Sequence, residues 1–210
     1  FVIPKWGEYS GGGKSFRASV PHIGVAYMMG FLDKHGIETK VIDMSLKYSV
    51  KDLLAIIDSY EADLVGVTSF SWGHRKAYGI IDAIKAHNEN TKVIIGGPHV
   101  SVIHSTVLSQ TNADFAVKGE GEFTMLELCR LLENHDENYE KVRGLIWRDG
   151  DDIVENEDRS WIQDLDSLPY PAFEKFELRE YLCYDLQVLP IVTSRGCPYK
   201  CVFCSSSYFW

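Results

Sequence analysis

The sequence has no apolar stretch long enough to cross a bilayer. Runs such as Val65 to Phe70 and Val93 to Ile95 fall far short of the roughly 20 residues that a spanning helix needs, so neither a membrane span nor a signal peptide is expected. It also lacks any stripe of Lys or Arg. Its 21 basic side chains face 30 acidic ones, for a formal net charge of −9, which argues against a surface that tracks nucleic-acid phosphates and favours a small or weakly charged partner. Cysteine is scarce and odd in number, five in all. In a chain large enough to fold without staples, that excludes a disulfide framework and points to a reducing, cytoplasmic setting.

Three common small-ligand signatures are missing as well. A phosphate loop needs G-x-x-x-x-G-K-(S/T); Gly13-Lys14-Ser15 supplies its end, but Glu8 stands where the first glycine belongs and Pro21 follows too closely for the helix to open. Gly11 to Gly13 therefore reads as a flexible loop. No G-x-G-x-x-G lies in register between the first strand and its helix. Thr68 and Ser69 occupy the strand end where a phospho-accepting receiver would carry Asp.

What is present is ordinary globular composition, 45% hydrophobic and 24% charged, set out in a βα rhythm. Strands are predicted at Phe1 to Ile3, Glu38 to Met44, Asp63 to Phe70, Lys92 to Ile95 and Phe115 to Lys118. Apolar residues at helical spacing alternate with them, in Val20 to His35, Val50 to Tyr60, around Tyr78 to Lys85, in Val100 to Leu108 and from Met125 to Leu132. The expected fold is α/β: a flavodoxin-like, doubly wound parallel five-stranded sheet over residues 1–140. A hairpin around Asp149-Gly150-Asp151 and an extended linker with Pro169 and Pro171 fill 141–188. Leu189 to Ser194 is predicted as a strand opening a second unit over 189–210.

In such a sheet ligands sit outside the carboxyl ends of the strands. Those ends are Pro4 to Ser15, Ser69 to His74, Gly96 to His99 and Gly119 to Glu122, where glycine lets backbone approach a flat ligand and Thr68, Ser69 and Ser71 offer uncharged hydroxyls. The second feature is Cys197-Pro198-Tyr199-Lys200-Cys201-Val202-Phe203-Cys204. Three thiolates on one loop suit an iron–sulfur cluster or zinc. Structural zinc wants a fourth ligand, and the nearest thiol is Cys183, across the predicted strand.

The run from Ser194 to Cys204, with Phe203 just before the last cysteine, resembles the cluster loop of radical S-adenosylmethionine enzymes. Gly96-Gly97-Pro98-His99, Gly119-Glu120-Gly121-Glu122 and Asp166-Ser167-Leu168-Pro169-Tyr170-Pro171 resemble the cobalamin-binding members of that superfamily. The resemblance implies that 1–140 binds cobalamin, with Thr68, Ser69, Phe70, Ser71, Gly96, Gly97, Pro98, His99, Gly119, Glu120 and Gly121 as contacts. It implies that Cys197, Cys201 and Cys204 ligate a 4Fe-4S cluster whose open iron binds S-adenosylmethionine. It further implies an electron donor such as flavodoxin or ferredoxin, and methyl transfer to an unactivated carbon or phosphorus centre through a 5′-deoxyadenosyl radical. A cyclase or rearrangement enzyme, or a non-catalytic cobalamin-binding module, are the alternatives.

Two departures from the family pattern follow. Pro4 to Ser19 holds no D-x-H-x-x-G and no histidine, so cobalt is not expected to be His-ligated; His22 and His99 are the nearest histidines and read as a helix-start and a rim side chain. Only Ser205 to Trp210 follow Cys204, whereas a barrel needs roughly 200 residues or more. A truncated barrel without turnover of its own is therefore expected, with Tyr208, Phe209 and Trp210 belonging inside that barrel.

Overall fold

The computed structural model describes residues 1–5, 20–204 and 206. Gly11 to Gly13, most of the rim segment Pro4 to Ser15, and Tyr208 to Trp210 lie outside them. In chain order the first elements are β1 (Val2–Ile3), α1 (Ile23–Lys34), β2 (Ile42–Asp43), α2 (Val50–Tyr60), β3 (Leu64–Thr68) and α3 (His74–His87). They continue with β4 (Lys92–Gly96), α4 (Pro98–Ile103), α5 (Thr106–Ser109), β5 (Phe115–Val117) and α6 (Glu122–Glu133). The five strands are parallel in the order β2-β1-β3-β4-β5. This is the flavodoxin-like order, in which strand order reverses between β1 and β3.

The sheet is larger than the five expected strands. After α6, β6 (Leu145–Asp149) and β7 (Asp152–Glu155) form the predicted hairpin, but it is not an appendage: β6 pairs antiparallel with β5, Phe115 opposite Trp147 and Val117 opposite Leu145, to give a seven-stranded sheet. The 140/141 division read from the sequence thus falls within one continuous sheet.

Side chains of the central strands alternate between two covered faces, as a parallel sheet with helices on both sides requires. Val65, Val67, Val93, Ile95 and Ala116 meet Leu53, Ile57, Ile81, Ile84, Val100 and Leu108 on one face. Ile94, Phe115, Val117 and Leu145 meet Leu32, Met125 and Leu128 on the other. The start of α2 is capped locally: Ser49 accepts from Asp52 N while Asp52 accepts from Ser49 N, a reciprocal pair that satisfies two orphan donors. The helix predicted over Val100 to Leu108 is broken in two at His104, whose φ is +52°. Glu155 of β7 explains the break by accepting from Ser105 N at 3.1 Å and contacting His104 Nδ1 at 2.9 Å.

The proline-containing stretch is packed rather than loose. Ala172, Phe176, Tyr181 and Cys183 are buried with Ile3, Val25, Ala26 and Met29, so residues 170–183, ending in the short α7 (Leu182–Leu186), form a strap over α1 and the β1–β2 edge. Lys175 Nζ pairs with Asp33 at 2.7 Å, and the buried Tyr181 hydroxyl donates to Asp43 at 2.7 Å. Gly30 allows the crossing: a Cβ there would lie 2.5 Å from Tyr170 O. Leu189 to Ser194 forms no strand, contrary to expectation. Among the described residues no strand pairs with it, and β-branched composition stabilises a strand only through cross-strand neighbours.

Candidate functional site

A cleft of about 480 Å3 opens at the carboxyl ends of β3, β4 and β5. Of the residues expected on that rim, Thr68, Phe70, Gly96, Gly97, Pro98, Gly119, Glu120 and Gly121 line it. Ser69, Ser71 and His99 do not. His99 turns toward α3, with Nε2 2.9 Å from the Tyr78 hydroxyl, Nδ1 3.1 Å from Ser71 Oγ, and its ring stacked on His74 at 4.8 Å. Both ring nitrogens are engaged, so it offers no lone pair to a metal in the cleft. Burial, and then the neighbouring His74, lower its pKa. Trp72 is largely exposed and stacks on Phe70.

The rim glycines answer first to the protein's own packing. A Cβ on Gly96 would lie 2.8 Å from Val117 Cγ1, and one on Gly97, whose φ is +98°, 2.8 Å from Ser69 O. Ser69 is fully buried, its amide donating to Gly96 O and its carbonyl accepting from His99 N. Its Oγ has no hydrogen-bond partner among the described residues. An uncompensated buried hydroxyl costs about 1–3 kcal/mol, which marks the base of the rim as arranged for something other than stability.

Two parts of the wall escaped the sequence reading. One is the start of α1, which contributes His22, Tyr27 and Met28. His22 is the N-cap of α1, its Nδ1 accepting from Val25 N at 3.2 Å. That bond needs an unprotonated Nδ1, which puts the proton of the neutral ring on Nε2 and leaves no lone pair free for a metal in this tautomer.

The other is Val192 to Gly196, which closes the cleft from the opposite side. Arg195 Nη1 lies 2.7 Å from Glu120 Oε1 and Nη2 2.6 Å from Glu122 Oε1, with side-chain exposures of 15%, 4% and 7%. Burial works against the guanidinium charge, but hydrogen bonds and attraction from Glu122 and then Glu120 more than offset it, so its pKa is raised. Glu120 also accepts from Ile162 N at 2.5 Å, and the guanidinium sits 5.6 Å from the centre of the Tyr27 ring. The only hint in the sequence was an arginine two residues before the first clustered cysteine.

Cys197 and Cys201 are exposed and Cys204 half-buried, and all three are free thiols. By number and softness they suit an iron–sulfur cluster. Among the described residues, however, no three Cys, His, Asp or Glu side chains stand close enough to hold a metal ion. Cys204 Sγ lies 3.3 Å from Ser206 Oγ and 3.5 Å from Ser206 N, and these hydrogen bonds lower its pKa. Cys183, the nearest further thiol, is buried within the strap. Cys129 of α6 is partly buried, and burial pushes its thiol up to about 11.

Taken together, the wall is apolar at Phe70, Tyr27, Met28 and Val117, its two carboxylates share the cation of Arg195, and a buried polar atom without a partner remains at His22. This fits a large, flat, weakly charged ligand with amide groups at its edge, as cobalamin is.

Comparison with known proteins agrees. Residues 10–129 match the family described as the B12 binding domain. The chain is 32% identical over 190 residues to an uncharacterized methyltransferase of Pyrococcus horikoshii, covering 89% of this chain and 41% of that protein. It is 31% identical to the anaerobic magnesium-protoporphyrin IX monomethyl ester cyclase of Cereibacter sphaeroides, covering 100% of this chain and 35% of the cyclase. The chain thus spans less than half the length of these relatives. Its fold matches that of OxsB, a cobalamin-dependent S-adenosylmethionine radical enzyme solved with aqua-cobalamin and S-adenosylmethionine bound, with a TM-score of 0.76 and 21% identity over 90% of this chain and 26% of that one. On sequence, cleft and fold together, the chain belongs to the B12 binding domain family.

Proposed function

We propose that the cleft holds cobalamin, that Cys197, Cys201 and Cys204 ligate a 4Fe-4S cluster whose open iron takes S-adenosylmethionine, and that the parent activity is methyl transfer to an unactivated carbon or phosphorus centre. One observation carries the reading: Val192 to Gly196 completes the cleft wall, is pinned by Arg195 to Glu120 and Glu122, and runs straight into Cys197. A ligand in the cleft and a cluster on the cysteine loop are thereby neighbours. When bound, the cluster and S-adenosylmethionine supply a hydrogen-abstracting 5′-deoxyadenosyl radical, and cobalamin supplies a methyl carrier.

The chain's own residues bind and orient. Thr68 offers a neutral hydroxyl, while Tyr27, Met28, Phe70 and Val117 exclude water from the ligand face. Arg195 fixes the cysteine-bearing segment against the rim. The cofactor-binding unit in this reading extends through the hairpin and strap to about residue 188. A cytoplasmic setting and a small electron-transfer protein such as flavodoxin or ferredoxin complete it.

Anaerobic reconstitution of the chain with iron, sulfide and hydroxocobalamin is expected to leave one corrinoid and about four irons per chain. The triple variant Cys197→Ala, Cys201→Ala, Cys204→Ala is expected to keep the corrinoid and lose the iron. No corrinoid retained after desalting overturns the cleft assignment, and undiminished iron in the triple variant overturns the ligand set. Corrinoid without iron in the unmodified chain supports a binding module instead. The 31% identity to a cyclase favours ring closure as a second reading. Following a labelled S-adenosylmethionine methyl group into product by the full-length enzyme separates the two.

A further inference from the structure

His22 does two things at once. Its Nδ1 accepts from Val25 N and caps α1, while Nε2 is buried without a hydrogen-bond partner among the described residues, in a side chain that belongs to the cleft wall. The ring lies against Phe70, with centroids 5.7 Å apart, and Phe70 is itself part of the cleft wall. The cap settles which nitrogen carries the proton. Burial lowers the His22 pKa against the opposing pull of Asp43, which favours the neutral ring, a donor at Nε2 without a positive charge.

A neutral ring N–H held in an apolar wall matches an uncharged acceptor better than a phosphate or carboxylate. We propose that His22 Nε2–H donates a hydrogen bond to an amide carbonyl on the edge of the corrin ring, making His22 a positioning residue for the cofactor. This rests on the cobalamin reading above. Peripheral acetamide and propionamide groups are the uncharged carbonyls a corrin presents, and a single donor at one wall would select the rotational setting of the ring in the cleft.

The test compares the unmodified chain with His22→Ser, because serine still caps a helix start but ends short of the cleft. Binding of hydroxocobalamin and of dicyanocobinamide, which keeps the corrin amides and lacks the nucleotide tail, is followed by absorbance. His22→Ser is expected to bind both roughly five- to tenfold more weakly, the effect of one hydrogen bond, with little change in Tm. In the unmodified chain labelled with 15N-histidine, the Nε2–H resonance is expected in the free protein and moves when either corrinoid is added.

Equal affinity in His22→Ser overturns the proposal, as does an Nδ1–H tautomer or an Nε2 resonance that stays in place. Should the variant not fold, the resonance of the unmodified chain decides alone. Weakening confined to hydroxocobalamin overturns the corrin-edge assignment by placing the acceptor in the nucleotide tail. An unmodified chain that binds neither corrinoid brings down the cofactor reading and this one with it, whereas binding that ignores His22 brings down only this one.

Discussion

Lys118 is a cation held almost out of water at the end of β5, its side chain 10% exposed between Glu155 Oε1 at 2.7 Å and Asp158 Oδ1 at 2.6 Å. Such a group is stable only while its partners are charged. Partial burial of Glu155 opposes its charge, but hydrogen bonds from Lys118, His104 and Ser105 outweigh this and hold its carboxyl at about 2, down from 4.5. The sign follows: a carboxylate with a depressed folded-state pKa stabilises fully above its unfolded value, and the contribution fades as pH falls from about 4.5 toward 2. Glu155→Gln is expected to cost about 1 kcal/mol at pH 7, allowing for the solvent that still reaches the pair, and the deficit is expected to shrink by pH 3. Urea unfolding at both pH values checks this; a deficit that does not change with pH would remove Glu155 from the acid response. His22 is a second residue whose protonation is set by its neighbours, there with a consequence for binding.

At the scale of elements, the strap and α1 depend on one missing methyl group. Gly30→Ala would raise helix propensity by about 1 kcal/mol, yet it places a Cβ 2.5 Å from Tyr170 O and threatens the adjoining bond from Ala172 N to Ala26 O, 2.9 Å long. Overpacking of this kind costs about 1–3 kcal/mol, so net destabilisation is expected, with faster proteolysis around residues 165–175. A rise in stability equal to the helix-propensity gain would mean that the strap is not docked. The strap also shows where local reading stops. The five parallel strands were legible because a strand buried on both faces writes a continuous apolar run, as in Val93 to Ile95. The hairpin itself was legible from Asp149-Gly150-Asp151, but its pairing with β5 was not, since register between distant strands leaves no local trace. Pro169 and Pro171 read as linker while the anchors Ala172, Phe176 and Tyr181 follow no helical or strand period. Leu189 to Ser194 carried strand composition without a partner to pair with.

For the whole molecule, the joint between rim and cysteine loop is an ionic one. Strand-end residues such as Thr68 and Gly97 were found from topology, but Arg195 and Glu120, 75 residues apart, meet only in the folded chain, and His22 and Tyr27 read as ordinary helix. Arg195→Leu is expected to leave two buried carboxylates without their cation, a loss of about 3–5 kcal/mol at the joint, and to speed amide exchange across 190–204. Adding Glu120→Gln and Glu122→Gln to that variant is expected to recover part of the protection. Unchanged exchange in Arg195→Leu would show that the segment is held some other way. The strap bears on the order in which the molecule is made. Asp33 meets Lys175 across 142 residues and Asp43 meets Tyr181 across 138. At about 5–20 residues per second, α1 leaves the ribosome roughly 7 to 30 seconds before the residues that cover it. Throughout that interval the nascent chain carries an apolar helix face that only a chaperone or the ribosome surface can shield, so the layer synthesised first is among the last to close.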